Sequence, residues 1–151
     1  MTSKTSIRTF RSNEFADWRA AFDAYYEEGK VPTPSLKLTR KNWRDIHDRK
    51  HALKAYGVWY DGELAGFIVW ASVSNPHSLK PFLYISDLYI LPDFRRRNLG
   101  TRLLKTVFAK HGPRHSHIEW KTRKQNVVAK HLYKKYAEKT NWIIFERHIK
   151  H

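Results

Sequence analysis

Two apolar runs joined by a two-residue turn lie in the middle of this chain. They are AYGVWY, residues 55–60, and ELAGFIVWASV, residues 63–73, with Asp61-Gly62 between them. Asp-Gly is favoured in the tight primed turns of β-hairpins, where both central residues need a positive φ. The sequence therefore predicts two antiparallel strands, around which the other elements have to be arranged.

The remaining apolar residues alternate between helix and strand spacing. Helical spacing covers residues 15–25, 39–46, 99–108 and 126–139, and strand patterns cover 6–10, 81–91, 116–122 and 142–149. Together with the hairpin this gives the order β-α-α-β-β-β-α-β-α-β. That order is typical of one mixed α/β domain, which we expect to span residues 1–151.

The chain has 29 basic and 14 acidic residues, a formal charge of +15 at pH 7 and no cysteine. The charge favours anionic partners, such as a phosphorylated cofactor or nucleic acid. The absence of cysteine excludes a disulfide framework, a thiolate nucleophile and Cys-ligated zinc. Because the N-terminus lacks an apolar leader and no apolar run reaches bilayer length, we expect a soluble, cytoplasmic protein without a membrane partner.

The stretch RRRNLGT, residues 95–101, lies where a strand pattern gives way to a helix pattern. The first amides of a helix have no internal partners, and the helix dipole makes that end positive, so such a junction can bind phosphate. Gly100 lets a ligand approach the backbone, and Asn98 tolerates a left-handed conformation. The arginines would add charge to this backbone cradle. A basic loop that merely caps a helix is the other interpretation.

Two motifs in this chain resemble those of the GCN5-related N-acetyltransferases (GNAT). LYILPDFRRRNLGTRLL resembles their acetyl-CoA motif, with Arg95 and Gly100 in place and Asn98 where a glycine is usual. NVVAKHLY resembles their later helix, with Asn126 and Tyr133 in register. The fourth and fifth strand patterns and the N-terminal aromatic residues resemble the branch that contains polyamine and histone acetyltransferases.

The resemblance implies a single mixed, mostly antiparallel central sheet of about six strands flanked by four helices. It also implies acetyl-CoA as cosubstrate, direct acetyl transfer to a primary amine of a small molecule or polyamine, and a homodimer. In this family a backbone N–H of the fourth strand binds the oxyanion, and the helix tyrosine protonates the leaving thiolate. The implied cofactor-binding residues are Leu88, Tyr89, Ile90, Arg95, Arg96, Arg97, Asn98, Leu99, Gly100, Thr101 and Asn126.

Tyr133 is thus the predicted general acid, and Asp87 is a candidate general base. Strand alternation predicts that Asp87 and its neighbour Ser86 face opposite ways. Glu119 or a water relay would also serve as base, and a structural carboxylate is an equal alternative. For the acceptor amine we consider Glu27, Glu28 and Glu119. We predict no metal, because the pair His47 and His51 has no third ligand in its sequence neighbourhood.

A nucleic-acid-binding module is the competing hypothesis. From Arg95 onward there are 16 Lys and Arg residues against 3 acids. That excess is greater than one cofactor requires, and the tyrosines and tryptophans nearby are able to stack on bases. A catalytically impaired acetyltransferase-like protein is a further alternative, suggested by Asn98 and Ser86.

Overall fold

The computed structural model describes residues 2–151, which separate into two compact units. The first runs up to Lys121, and the second is Thr122–His151. Within the described residues, the first unit contains every strand and three α-helices, whereas the second contains one helix. None of the helices in residues 2–151 is both long and apolar enough to cross a membrane.

The elements follow the predicted order up to the last helix. The strands are β1 (Thr5–Arg8), β2 (Leu53–Tyr60), β3 (Glu63–Val73), β4 (Phe82–Ile90) and β5 (Ile118–Trp120). The helices are α1 (Phe15–Glu28), α2 (Leu36–His47), α3 (Leu99–His111) and α4 (Val127–Tyr133).

The strands form one sheet in the order β1-β2-β3-β4-β5. All neighbours are antiparallel except β4 and β5, which are parallel. The central hairpin is confirmed, since Tyr60 pairs with Glu63 and the turn residues Asp61 and Gly62 have φ of 49° and 86°. The mixed, mostly antiparallel sheet with four helices is therefore confirmed as the fold class.

The sheet is covered on both faces. On one face, α1 packs Trp18 and Phe22 against Phe67 of β3, within a cluster that also includes Tyr89. Since side chains alternate along a strand, Ile68 and Trp70 face the other side, where α3 lies. The α3 residues that are buried are Leu99, Leu103, Leu104 and Val107. The two helices therefore hold the central hairpin between them.

The predicted sixth strand is wrong. Residues 142–149 form no strand, and the sheet of the described residues has five strands rather than about six. Trp142 and Phe145 are largely exposed. A run rich in Trp, Ile and Phe has high strand propensity, but a strand also needs a neighbour for its backbone N–H and C=O groups. The predicted last helix also ends early, at Tyr133 instead of residue 139.

Candidate functional site

Strands β4 and β5 are paired over only part of their length. Leu83–Ile85 of β4 pair with Ile118–Trp120 of β5, and beyond Ile85 the β4 strand continues to Ile90 with no strand of the described residues 2–151 paired to that side. At the same place the register of β4 on β3 shifts, which leaves Ser86 as an additional residue. Such a bulge bends a strand and increases its twist. The second half of β4 therefore presents an open edge.

Two backbone amides point along this open edge. The Leu91 N–H donates to the Ala65 carbonyl at 2.8 Å. Because backbone groups along a strand alternate in direction, the N–H and C=O groups of Tyr89 also point towards β3. Leu88 and Ile90 consequently direct their N–H and C=O groups to the open side. Of the three strand residues predicted to contact the cofactor, these two have amides in a position to bind a ligand there.

The N-terminus of α3 lies beside this edge and is rich in unpaired amides. Its first internal hydrogen bond runs from the Arg102 N–H to the Asn98 carbonyl at 3.0 Å, and the Asn98 side chain does not cap the helix. The N–H groups of residues 99–101 come before that bond and therefore have no partner within the helix. A Cβ placed on Gly100 would meet only the Ile90 Cγ1 atom, at 3.7 Å. The space in front of the helix end is thus open, and it adjoins Ile90.

The loop before α3 has a backbone that is unusual for its residue types. Arg96 and Asn98 have φ of 64° and 58°, in the left-handed region that few non-glycine residues adopt. Asparagine accepts this conformation more readily than most residues, as the sequence suggested. Arg96 is an ordinary L-residue without that advantage, so packing of the loop has to hold it.

Arg95 is held by the protein itself. Its guanidinium binds both carboxylate oxygens of Glu28, at 2.7 and 2.9 Å, and its Nε donates to the Ile90 carbonyl at 2.9 Å. The Tyr89 hydroxyl donates to the same carboxylate at 2.7 Å. Arg95 thus ties the end of α1 to β4 and to the loop. Nothing in the sequence spacing links Glu28 with Arg95, and a contact across 67 positions has no local signal.

This cluster changes the pKa of each of its members. The hydrogen bond from Arg95 lowers the pKa of Glu28, and Glu28 in turn raises the pKa of Arg95. Burial, followed by the hydrogen bond to Glu28, raises the pKa of Tyr89 to about 12. Tyr89 is therefore protonated at neutral pH and Glu28 is ionised.

The remaining arginines differ in their contacts. The Arg97 guanidinium donates to the Asp93 carbonyl at 3.2 Å and lies over the Tyr60 ring, 4.8 Å from its centre. Arg96 is exposed. Among the three predicted phosphate ligands, Arg95 and Arg97 therefore have internal partners, and Arg96 extends into solvent.

Because of the bulge, the Asp87 side chain is oriented differently from the sequence prediction. Alternation was expected to separate Ser86 from Asp87, but the Ser86 Oγ donates to Asp87 Oδ2 at 2.8 Å. An inserted residue resets the alternation, which is why the rule is wrong at this point. After burial, the charge of Asp87 is the second cause that raises the pKa of Tyr26. Asp87 is thus close to α1, on the side of the sheet that this helix covers.

The other predicted acidic residues are exposed. Glu27 is exposed at the end of α1. Glu119 is exposed on β5, where its Oε1 lies 2.8 Å from the His117 Nε2. Of the predicted acceptor residues, Glu28 therefore has an ionic partner in Arg95, Glu119 has a hydrogen-bonding partner in His117, and Glu27 is solvent-exposed.

Asn126 and Tyr133 belong to the second unit. The Asn126 side chain accepts from the Ala129 N–H at 3.1 Å and so caps α4. Tyr133 ends the same helix and is half-buried, and this burial raises the pKa of its hydroxyl above the ordinary 10.0. A phenol in this state carries its proton at neutral pH.

The two histidines considered for metal binding have separate partners. The His47 ring nitrogens lie 2.7 Å from the Trp43 carbonyl and 3.0 Å from the Phe10 carbonyl. His51 lies 3.7 Å from the Asp45 carboxylate. Within residues 2–151 no group of three or more His, Asp or Glu side chains is placed to hold a metal ion.

Comparisons with known proteins give one family match and a set of solved structures with the same fold. The model of the acetyltransferase (GNAT) family matches residues 15–137. No curated protein matches the sequence.

Solved structures with the same fold cover nearly the whole chain. A ribosomal-protein-alanine N-acetyltransferase from Brucella melitensis biovar Abortus 2308 has a TM-score of 0.79 at 18% identity, covering 97% of this chain and 100% of its own. A possible acetyltransferase from Clostridium difficile 630 has a TM-score of 0.82 at 16% identity, covering 97% and 99%. The aminoglycoside N-acetyltransferase AAC(6')-Iy, solved with CoA, has a TM-score of 0.79 at 19% identity, covering 98% and 97%.

Proposed function

This chain belongs to the acetyltransferase (GNAT) family, and we propose that it transfers the acetyl group of acetyl-CoA to a primary amine. The observation that carries the proposal is the open edge of β4 beside the uncapped N-terminus of α3. One end of this site offers helix amides to an anion, and the other offers strand amides to an extended chain.

The residues present fit acetyl-CoA. Its pyrophosphate suits the amides of Arg96 to Thr101, because a helix N-terminus binds phosphate through N–H groups and its dipole. Arg96, which extends into solvent beside these amides, supplies a side-chain charge. The pantetheine arm contains amide groups, and an extended chain with amides can pair with an open strand edge. The amides of Leu88 and Ile90 lie on that edge.

Acetyl-CoA supplies an activated acyl group. The protein has to orient this group, accept a proton from the amine and donate a proton to the departing sulfur. We propose that the Ile90 N–H binds the thioester oxygen as it gains negative charge, since preorganised amides stabilise such oxyanions. The amine nitrogen forms the new bond to carbon while the carbon–sulfur bond breaks. In this proposal Tyr133 gives its proton to the departing sulfur.

The acceptor amine has to lose a proton, because amines of this type have a pKa of about 10 in water. Asp87 is our first candidate for the accepting group, because the Ser86 bulge brings it to the α1 side of the sheet. Glu119, or water held by either carboxylate, is the alternative. Glu27 is the candidate that attracts the protonated amine before it reacts.

We propose a small-molecule amine as the acceptor. Aminoglycoside acetyltransferases are among the proteins that share this fold, and their substrates are small amines. The +15 charge repels a highly cationic acceptor such as a polyamine over a Debye length of about 8 Å at physiological salt. A local acidic group such as Glu27 would have to offset that repulsion if the polyamine and histone branch is the right one.

The test is an assay of free CoA release with a panel of polyamines, amino acids, aminoglycosides and lysine peptides. We expect acetyl-CoA-dependent turnover with at least one small amine, and mass spectrometry of the product should show one added acetyl group. Binding of acetyl-CoA without turnover on any amine would instead support an impaired enzyme. Failure to bind CoA at all would overturn the proposal.

We also propose a homodimer, on the strength of the family resemblance. Light scattering at micromolar concentration measures the mass directly. A mass of about twice 18.1 kDa is expected, and a mass of 18.1 kDa would remove this part of the proposal.

A further inference from the structure

A second concave site lies at the opposite end of α3, away from the open edge of β4. It is a cleft of about 440 Å³ between the ends of α2, β2, β3 and α3. Its basic lining residues are His51, Lys54, His111, Arg114 and His115, and none of its lining residues is acidic. The proposed acetyl transfer does not use any of these side chains.

His111 organises the hydrogen bonds of this cleft. Its Nδ1 lies 2.9 Å from an Arg114 guanidinium nitrogen, and because arginine only donates, Nδ1 is the acceptor. The proton of the neutral ring is then on Nε2, which lies 2.7 Å from the Tyr56 hydroxyl. Tyr56 therefore accepts from His111, and its own O–H is left to donate.

His115 is fixed in the same way. Its Nδ1 lies 2.6 Å from the His111 carbonyl and so donates to it. Its Nε2 lies 2.7 Å from the Ser72 hydroxyl. With its proton on Nδ1, the ring accepts from the Ser72 hydroxyl through Nε2, so the His115 N–H and the Ser72 O–H are both used within the protein. The donors left for a ligand are the Tyr56 hydroxyl and the other N–H groups of Arg114, and His111 orients both side chains. Burial, with the charge of Arg114 second, lowers the pKa of His111, which keeps this ring neutral as the network requires.

Further cations lie around the cleft. Lys110 Nζ is 5.6 Å from the centre of the Tyr56 ring, and Lys80 Nζ donates to the Pro113 carbonyl at 3.0 Å, next to Arg114. The nearest carboxylate that contacts a lining residue is Asp45, 3.7 Å from His51, and it already binds Lys41 at 2.6 Å. The positive charge of this region therefore has no acidic counterpart inside the cleft.

We propose that this cleft binds the phosphodiester backbone of a single-stranded nucleic acid. The Tyr56 hydroxyl and the Arg114 guanidinium, both oriented by His111, are surrounded by lysine ammonium groups, and this spread of positive groups matches a chain of phosphates better than one small anion, which would use only part of them. The net charge of +15 attracts such a polyanion from a distance, and the concave site admits a single strand. This inference does not depend on the proposed acetyl transfer.

The experiment uses the full chain and a fluorescein-labelled oligouridylate of about 12 nucleotides, a typical length for one binding site. Anisotropy titrations at several salt concentrations give the affinity and its salt slope. We expect Arg114→Ala to weaken binding about three- to tenfold and to reduce the slope by about 0.7 for each phosphate that the protein no longer neutralises. Lys54→Ala, on a different element, should have a similar effect.

Lys37→Ala is the matched control, because it also removes one charge and lies exposed in the first turn of α2. The lining residue Ile46 is nine positions along the same helix, about 14 Å away at 1.5 Å per residue. We expect Lys37→Ala to change affinity less than about twofold, and Arg114→Lys to recover the slope.

The outcomes decide the proposal. Equal losses of affinity for Arg114→Ala, Lys54→Ala and Lys37→Ala would show binding by the general field of the protein and would overturn a specific cleft. Absence of binding by the wild type at about 50 mM salt would overturn it as well. So would full displacement of the oligonucleotide by inorganic phosphate at matched ionic strength, because the site would then take a free anion. The melting temperature of each variant is measured as well, and an unchanged value shows that a loss of affinity is not caused by unfolding.

Discussion

The two ends of α3 offer donors to anions by different means. At the N-terminus, the loop residues Arg96 and Asn98 take left-handed backbones, and the amides of the first turn are open. At the C-terminus, the donors are side chains gathered around His111. Backbone amides are fixed by the helix itself, whereas side chains have to be oriented by one another.

The helix dipole acts in opposite directions at these ends. It favours an anion at the N-terminus and disfavours one at the C-terminus, by about 0.3–1 kcal/mol at exposed sites. At the C-terminus, Arg114 and His115 contact the carbonyls of Lys110 and His111 and so offset that negative end. The charge of the cleft, including the rest of the Arg114 guanidinium, can then act on a ligand. Of the two ends, the N-terminus is therefore the one with an intrinsic preference for phosphate.

The largest effect is expected from Tyr133→Phe, which should reduce acetyl transfer without changing nucleic-acid binding. If the N-terminal end is the acetyl-transfer site, loss of this hydroxyl should reduce turnover about 10²–10⁴-fold, the usual contribution of a general acid. CoA affinity by calorimetry and oligouridylate affinity should be unchanged, since neither depends on the phenol proton. Tyr136→Phe, three residues on, is the control. Turnover within about threefold of wild type, with chemistry rate-limiting, would make Tyr133 a packing residue.

The next largest effect is expected from Gly100→Trp. An indole placed in the open space in front of α3 should weaken CoA binding at least about tenfold, because a ligand could no longer approach the amides. Gly100→Ala is the control, because its Cβ would meet only Ile90 Cγ1, at 3.7 Å. The CoA affinity of this variant should be unchanged, and the helix should be more stable because alanine has a higher helix propensity than glycine. Calorimetry with CoA measures both. Equal CoA affinity for the tryptophan variant and wild type would locate the pyrophosphate elsewhere.

A smaller effect is expected from Glu28→Gln, which releases Arg95 from α1. We expect the KM for acetyl-CoA to rise about threefold and stability to fall by less than about 1 kcal/mol, since the ion pair is partly exposed. Glu27→Gln, which changes the neighbouring exposed residue, is the matched control and should leave the KM for acetyl-CoA unchanged.

The same variant tests the pH dependence of this end. Because the folded-state pKa of Glu28 is lowered from 4.5, its contribution is present above about pH 4.5 and is lost as pH falls through the folded value. The difference in melting temperature between wild type and Glu28→Gln should therefore shrink at acid pH. A difference that is constant with pH would show that the carboxylate charge is not the cause.

The smallest effect concerns His111 at the other end of α3. Its folded-state pKa lies below 6.5, so the unfolded chain takes up the proton first and stability is lost as pH falls below 6.5. His111→Gln should reduce that loss, by up to about 3 °C in melting temperature for a domain of this size. Melting curves at about pH 7.5 and pH 5.5 test it, with exposed His77→Gln as control. An identical pH dependence in both variants would contradict a half-buried His111 that is neutral at pH 7.

The two ends also differ in how far sequence predicted them. The strand–loop–helix junction is contiguous, so its glycine, its asparagine and its place before Leu99 were visible in residues 92–101. The cleft at the other end brings together Tyr56, Ser72 and His111, which are far apart in sequence. A histidine that contacts a tyrosine 55 positions away leaves no periodic signal.

Secondary structure followed from sequence wherever one local rule decided it. The Asp61-Gly62 turn and the amphipathic helices needed only turn chemistry and spacing, and these determine the fold class. Residues 142–149 have strand propensity but no strand, because a ladder depends on a neighbour that propensity does not supply. The Ser86 bulge likewise depends on how β4 packs on β3.

By itself, then, the sequence determined the order of the elements up to the last helix, the hairpin and the strand–loop–helix junction, because each depends on residues that are neighbours in the chain. The tertiary structure decided that β5 stops pairing at Trp120, that Arg95 binds Glu28, and that a basic cleft forms around His111. These features depend on which distant side chains and strand edges meet, and hydrophobic packing fixes that only when the whole sheet and its helices are assembled.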